Sequence, residues 1–336
     1  MLKQKRFWLG AIISLALLGY VFYQTNLLAI GAELSRANYF YLIPALVLYF
    51  IGVGIRSVRW HFLLRSIKPV PSRTLFPIVV IGYMANDILP ARLGEVVRAF
   101  VLGQKEGISK TAALVTIVVE RILDGLTMLA FLAGAALFVP LNDYLRTVLF
   151  LGGAVFVGIM LVLILVSGFR ERLEGVINFI LERLPHHWGD RAEKLIDSFL
   201  EGLNVLRNPL DALVAFACSV GAWLFEAGMY LLIALAFGLD KPFAMYILAT
   251  ALGNLASIAP STPGYVGVFD APIKYVLTTL YAVEINQATS YTLLLHAALL
   301  IPVTLLGFYY AWRAGLNLGQ LSNSSQGGPE QVRERG

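Results

Sequence analysis

The run Asn86-Asp87-Ile88-Leu89-Pro90-Ala91-Arg92-Leu93-Gly94-Glu95-Val96-Val97-Arg98 concentrates reactive side chains beside hydrocarbon. Residues 74–83 before it are apolar but too few to cross a bilayer with ease. Carboxylates, guanidinium groups and a proline–glycine break are costly there unless protein or water covers them. A short helix after Pro90 would present free backbone N–H groups, which attract anions, and phosphate oxygens match arginine's planar fork. Asn86, Arg92, Glu95 and Arg98 are therefore candidates to hold a phosphate-bearing headgroup. In the competing reading the arginines snorkel to the inner surface, while Asn86 and Asp87 cap the backbone at the break.

Glu120, Arg121 and Asp124 lie in the next apolar run. Counting about 1.5 Å per residue from Thr111 puts them roughly 13–20 Å deep, near the middle of a bilayer. Glu120 and Asp124 share a helix face, and Arg121 reaches Asp124 at i+3. Such a trio must be paired or wet. It is either an ion cluster that locks this helix to the first break, or a site where Arg121 touches substrate phosphate while a carboxylate pairs with it or carries a proton. The second half of the chain has its own break, Pro260 to Gly264, with the spacing of Pro90 to Gly94, and Asp270 follows it. Interrupted segments in corresponding halves point to a site at a repeat interface, which adds Gly264 and Asp270 to the candidates.

Arg56, Arg59 and Trp60 read as interfacial anchors near the cytosolic end of their helix. Glu226 and His296 read as hydrogen-bonded core residues, His296 being able to titrate. Cys218, the single cysteine, reads as a small core residue. There is no zinc-ligand spacing, no P-loop and no nucleophile elbow, so neither metal nor cofactor is expected. The first exterior loop, 24–38, has a lone Glu33, which gives metal-dependent sugar transfer no support.

The elements that must position these groups follow from composition. The chain has 336 residues, 58% hydrophobic and 14% charged, against about 25% charged in soluble domains. This is an all-α integral membrane protein. Its net charge of +5 sits in inter-helix segments, where it sets topology rather than a nucleic-acid surface. Six segments are long enough to cross: 7–23, 39–64, 111–139, 145–166, 210–237 and 289–312. Lys3, Lys5 and Arg6 mark the first as an uncleaved helix with a cytosolic N-terminus. Basic residues flank 74–104 on both sides, so that segment is expected to enter and leave from the cytosol as a re-entrant hairpin. Residues 243–283 are expected to form an exterior hairpin, with Lys274 fitting neither side cleanly. The two halves then form an inverted-topology repeat with one broken element each.

A single transmembrane domain is expected over 1–319. Its 168–209 loop reads as two amphipathic cytosolic helices, with apolar residues spaced helically over 173–184 and 192–203, joined at 185–189. Residues 320–336 have the composition of a disordered tail.

From Gly82 and Asn86 through Leu89-Pro90-x-Arg92-x-Gly94-Glu95 and Arg98 to Glu120-Arg121 and Asp124, the chain resembles the flippase-like membrane family related to the lysylphosphatidylglycerol synthase transmembrane region. That module is the N-terminal part of the bacterial multiple peptide resistance factor. The family's second loop is typically Pro-Gly-Gly-x-Gly followed by an acid; here Tyr265 replaces the second glycine and Asp270 stands where glutamate is expected. The resemblance covers about residues 5–315 and implies movement of a polar-headed lipid between leaflets of the inner cell membrane, without covalent chemistry. Both termini would be cytosolic. Expected partners are an anionic phospholipid, an aminoacylated lipid or a polyprenyl phosphate, with a homo-oligomer or an envelope-biosynthesis enzyme as protein partner and no nucleic acid. Two alternatives stand beside it: a small-solute or ion transporter, and a non-transporting membrane subunit of an envelope glycosyltransferase or lipid-modifying enzyme.

Overall fold

The computed structural model describes residues 5–23, 25–89, 93–139, 142–169, 186–258 and 262–316. They form twelve α-helices with short 3-10 and π turns, and no strand occurs among the described residues. The helices are α1 (Lys5–Phe22), α2 (Leu27–Arg36), α3 (Leu42–Leu64), α4 (Ser72–Ile88), α5 (Gly94–Glu106) and α6 (Lys110–Ala135). They continue with α7 (Asp143–Gly168), α8 (His186–Gly202), α9 (Pro209–Ala236), α10 (Phe243–Ala256), α11 (Asp270–Tyr275) and α12 (Ile285–Arg313). Four spans are long and apolar enough to cross a membrane: Tyr39–Leu64, Asp143–Gly168, Pro209–Ala236 and Ile285–Arg313. A fifth arises if α1 and α2, bent by 76° at the break between them, are taken together. α6 has the length, but Glu120, Arg121 and Asp124 interrupt its apolar run.

Local sequence sets the helix starts. Side chains of Asn26, Ser109, Asn142, Asn208 and Glu284 each accept a backbone N–H of the first turn they precede. The Asn26 cap creates α2 inside the segment read as an exterior loop. α8 begins at His186, inside the expected 185–189 joint, and packs on α6; the expected helix over 173–184 lies outside the described residues. The 320–336 tail lies outside them as well.

Lipid gives helices little hydrophobic reason to associate, so close approach depends on small residues. α3 and α9 form the central pair, and a Cβ at Gly52 would stand 3.1 Å from the Ala222 carbonyl oxygen. A Cβ at Gly307 on α12 would stand 3.1 Å from the Val80 carbonyl oxygen on α4. At the first break, Gly82 and Gly94 touch so closely that a Cβ at Gly94 would overlap the Gly82 carbonyl oxygen and the Asn86 side chain. α7 is the outlier: Leu145 and Ser167 are its buried residues, and Phe150, Leu151, Val155, Leu161, Val162 and Leu165 form an exposed apolar belt suited to lipid tails.

Lys274, which fitted neither side in sequence, is 2% exposed. Its ammonium donates to the Val21 carbonyl at 2.5 Å and to those of Tyr20 and Tyr23 at 3.4 Å, so it closes the C-terminus of α1. A cation there satisfies the unpaired carbonyls and the negative end of the helix dipole together.

Candidate functional site

α3, α6 and α9 carry a buried ion network. Arg59 on α3 is fully buried; it reaches Glu120 and Asp124 on α6 at 2.5 Å each and Ser219 on α9 at 2.7 Å. Arg98 on α5 donates to the other Glu120 oxygen at 2.9 Å, its guanidinium 4.1 Å above the Trp60 ring. Arg121 meets Asp124 at 3.2 Å. A buried ion pair holds only when the remaining lone pairs find donors, and here each carboxylate oxygen of Glu120 and Asp124 has an arginine.

Trp223 on α9 joins this network to a second ion pair. Its indole N–H donates to Asp124 at 2.7 Å, while the Arg56 guanidinium lies 4.2 Å above its ring. Arg56 in turn pairs with Glu226 at 2.8 Å, and Asn254 on α10 approaches the second Glu226 oxygen at 3.5 Å.

Arg56 and Arg59 are therefore core residues, and their reading as interfacial anchors is corrected. Arg56 is 3% exposed. The sequence did hold a signal. Tyr49, Gly52, Val53, Arg56 and Trp60 recur at helical spacing on the protein-facing side of α3, whereas Val47, Ile51 and Val58 are exposed. Charge on the aromatic and small-residue face of a span is charge turned inward.

Between the two broken elements lies a cavity of about 150 Å³. The first break contributes Tyr83, Asn86 and Asp87; the second contributes Asn254, Ser257, Gly264 and Tyr265. Arg56, Trp223 and Glu226 line it from α3 and α9, Arg121 from α6 and His296 from α12. Of the residues singled out in sequence, Asn86, Arg121 and Gly264 thus meet at one surface. Glu95, Arg98, Glu120, Asp124 and Asp270 stand behind it, and Arg92 lies outside the described residues.

Both broken elements are held at the wall by further contacts. Asn86 accepts the Gly94 N–H at 2.8 Å, and Asp87 accepts the Thr304 hydroxyl at 2.7 Å. The Gly264 carbonyl accepts from His296 at 2.7 Å. Asp270 holds the Gly267 N–H at 2.8 Å and the other His296 nitrogen at 2.7 Å. Gly264 has φ +70, and Tyr265 follows it at φ +58, a conformation costing a side chain on the order of 1–2 kcal/mol.

Arg121 is the wall's accessible guanidinium, its side chain 33% exposed while those of Arg56, Arg59 and Arg98 are at most 4% exposed. Its Nε, and one buried oxygen of Glu95, have no hydrogen-bond partner among the described residues. No group of three or more metal-ligating side chains occurs among the described residues.

Comparison with known proteins places the chain. The family model of the lysylphosphatidylglycerol synthase transmembrane region matches residues 7–307. The chain belongs to that family. It is a multi-pass membrane protein, and the family's match runs through both breaks and the ion network between them. Two family relatives in Methanothermobacter thermautotrophicus are described as UPF0104 membrane proteins. One is 28% identical over 282 residues, covering 78% of this chain and 82% of its own length; the other is 28% identical over 281 residues, covering 79% and 80%. Glycosyltransferase AglD of Haloferax volcanii is 24% identical over 284 residues, which is 75% of this chain and 45% of AglD.

Proposed function

We propose that the chain moves a phosphate-bearing polar lipid between leaflets, without making or breaking a covalent bond. The observation that carries this reading is the placement of Arg121, a half-buried guanidinium on a cavity walled by both broken elements. A headgroup phosphate would dock on Arg121, with Arg92 and the start of α5 as further donors. Glu95, Glu120 and Asp124 would keep the arginines oriented. Charges inside a bilayer are normally buried against protein or face a water-filled path, which fits a route for a polar headgroup.

The arrangement we favour has six crossings (α1, α3, α6, α7, α9 and α12) and two re-entrant hairpins, α4–α5 and α10–α11, in an inner membrane with both termini cytosolic. The contacts support an inverted repeat. α3 pairs with α9, and α4 packs on α12 as α10 packs on α6. Exchanging the halves leaves this pattern unchanged, as a two-fold relation requires. Rocking of the halves would expose the cavity alternately to either side.

Purified protein in liposomes tests the reading. Wild type is expected to move fluorescent phospholipid or polyprenyl phosphate across the bilayer, and Arg121→Ala and Arg92→Ala to lose that movement. No transfer of any such lipid, or unchanged transfer in both variants, overturns it. The similarity to AglD favours a second reading, a membrane subunit serving an envelope glycosyltransferase. Co-purification with such an enzyme, and loss of that enzyme's product on deletion without any lipid movement in liposomes, would select it.

A further inference from the structure

His296 on α12 stands on the cavity wall, gripped at both ring nitrogens. Nε2 lies 2.7 Å from the Gly264 carbonyl oxygen and Nδ1 lies 2.7 Å from an Asp270 carboxylate oxygen. A carbonyl can only accept, so Nε2 carries a hydrogen. In a neutral ring Nδ1 would then be bare, facing the carboxylate lone pair to lone pair. The short separation therefore encloses one further proton, shared between ring and carboxylate. The second Asp270 oxygen accepts the Gly267 N–H at 2.8 Å. The Nε2 hydrogen thus fastens Gly264 to α12, and the enclosed proton fastens Gly267 to it through Asp270.

The turn is under tension. Gly264, Tyr265 and Gly267 have φ of +70, +58 and +81, and Tyr265 carries a side chain in a region that favours glycine. Other titratable or charged groups on the cavity are Asp87 and Tyr83 from α4, Arg56 and Tyr49 from α3, Glu226 from α9, Arg121 from α6 and Tyr265 of the turn itself. Asp87 is held at Thr304, the Phe269 ring lies 5.1 Å from the imidazole, and α2 meets α12 further along, at Ser290.

We infer that the His296–Asp270 pair is a proton-binding site whose occupancy fastens the second broken element against the cavity. When the proton leaves to a base reached through the cavity, Nδ1 and the carboxylate oxygen become facing lone pairs. The ring turns, the Gly264 carbonyl or Asp270 is released, and the strained turn relaxes away from the wall. The latch stands on its own geometry; its use as the coupling step of lipid movement rests on the transport reading.

Hydrogen–deuterium exchange on the full-length protein in lipid nanodiscs tests this. Protection of amides 262–270, normalised to intrinsic exchange, is expected to fall about tenfold or more between about pH 5 and about pH 9. In Asp270→Asn the amide donates to the bare Nδ1 while its oxygen still accepts from Gly267, so the turn should stay protected at both pH values. In His296→Phe it should be open at both. Equal wild-type protection at the two pH values, or an undiminished pH response in Asp270→Asn, overturns the inference. Liposome transfer with the same preparations separates the two ideas: active transfer with pH-independent exchange removes the latch alone, and pH-dependent exchange without transfer removes the transport reading alone.

Discussion

The indole N–H of Trp223 donates to Asp124 at 2.7 Å while the same ring lies 4.2 Å beneath the guanidinium of Arg56. One side chain thereby couples the Arg59–Glu120–Asp124 network to the Arg56–Glu226 pair. Trp223→Phe keeps the ring under Arg56 but removes a donor to a buried carboxylate, and is expected to cost about 1–3 kcal/mol. Trp223→Leu removes the ring as well and should cost about 1–2 kcal/mol more. Thermal denaturation of both variants in one detergent measures the difference; a Trp223→Phe variant as stable as wild type would mean that the N–H contributes nothing, and equal loss in the two variants that the ring contributes nothing.

Arg59 and Arg121 touch the same two carboxylates but should separate on mutation. Arg59→Met leaves Glu120 and Asp124 without their fully buried partner and is expected to destabilise by about 3–5 kcal/mol. Arg121→Ala removes a partly exposed guanidinium and should melt close to wild type, with its defect in lipid transfer. Paired melting and liposome assays give the comparison; a large stability loss in Arg121→Ala would make that arginine structural.

Gly94→Ala puts a Cβ onto the Gly82 carbonyl oxygen and the Asn86 side chain. α4 and α5 must move apart, at an expected cost of about 1–3 kcal/mol, and the Asn86–Gly94 hydrogen bond should break. A melting temperature equal to wild type would show that the break is loosely packed.

Lys274→Met retains an unbranched chain but leaves three carbonyls at the end of α1 without their cation. The loss expected is about 1.5–3 kcal/mol, concentrated at the α1–α11 contact. Limited proteolysis should cut near residues 23–26 faster in the variant while the other helices keep their wild-type protection.

Periodicity carried some contacts and could not carry others. It put Glu120, Arg121 and Asp124 together on α6, because helical spacing alone makes them neighbours. It left Arg56 and Arg59 as anchors, because basic residues near a helix end usually snorkel and their partners are remote. Arg59 meets Glu120 across 61 positions and Arg56 meets Glu226 across 170. α2 went unread because a ten-residue helix depends on its Asn26 cap and on packing against α12 more than on composition. Tyr265 was legible as a departure from glycine, but its positive φ appears only in the folded turn.

Composition, apolar run length and two proline–glycine interruptions by themselves determined a helical membrane chain with charge kept at its breaks, since hydrocarbon tolerates neither unpaired backbone nor idle ions. Tertiary structure alone decided which ion serves which purpose. It sealed Arg59 and Arg98 behind the wall, left Arg121 on the cavity, and brought His296 to Gly264 and Asp270. The reason is geometric. Sequence spacing fixes the direction a side chain leaves its helix, and only the packing of other helices decides what stands there to meet it.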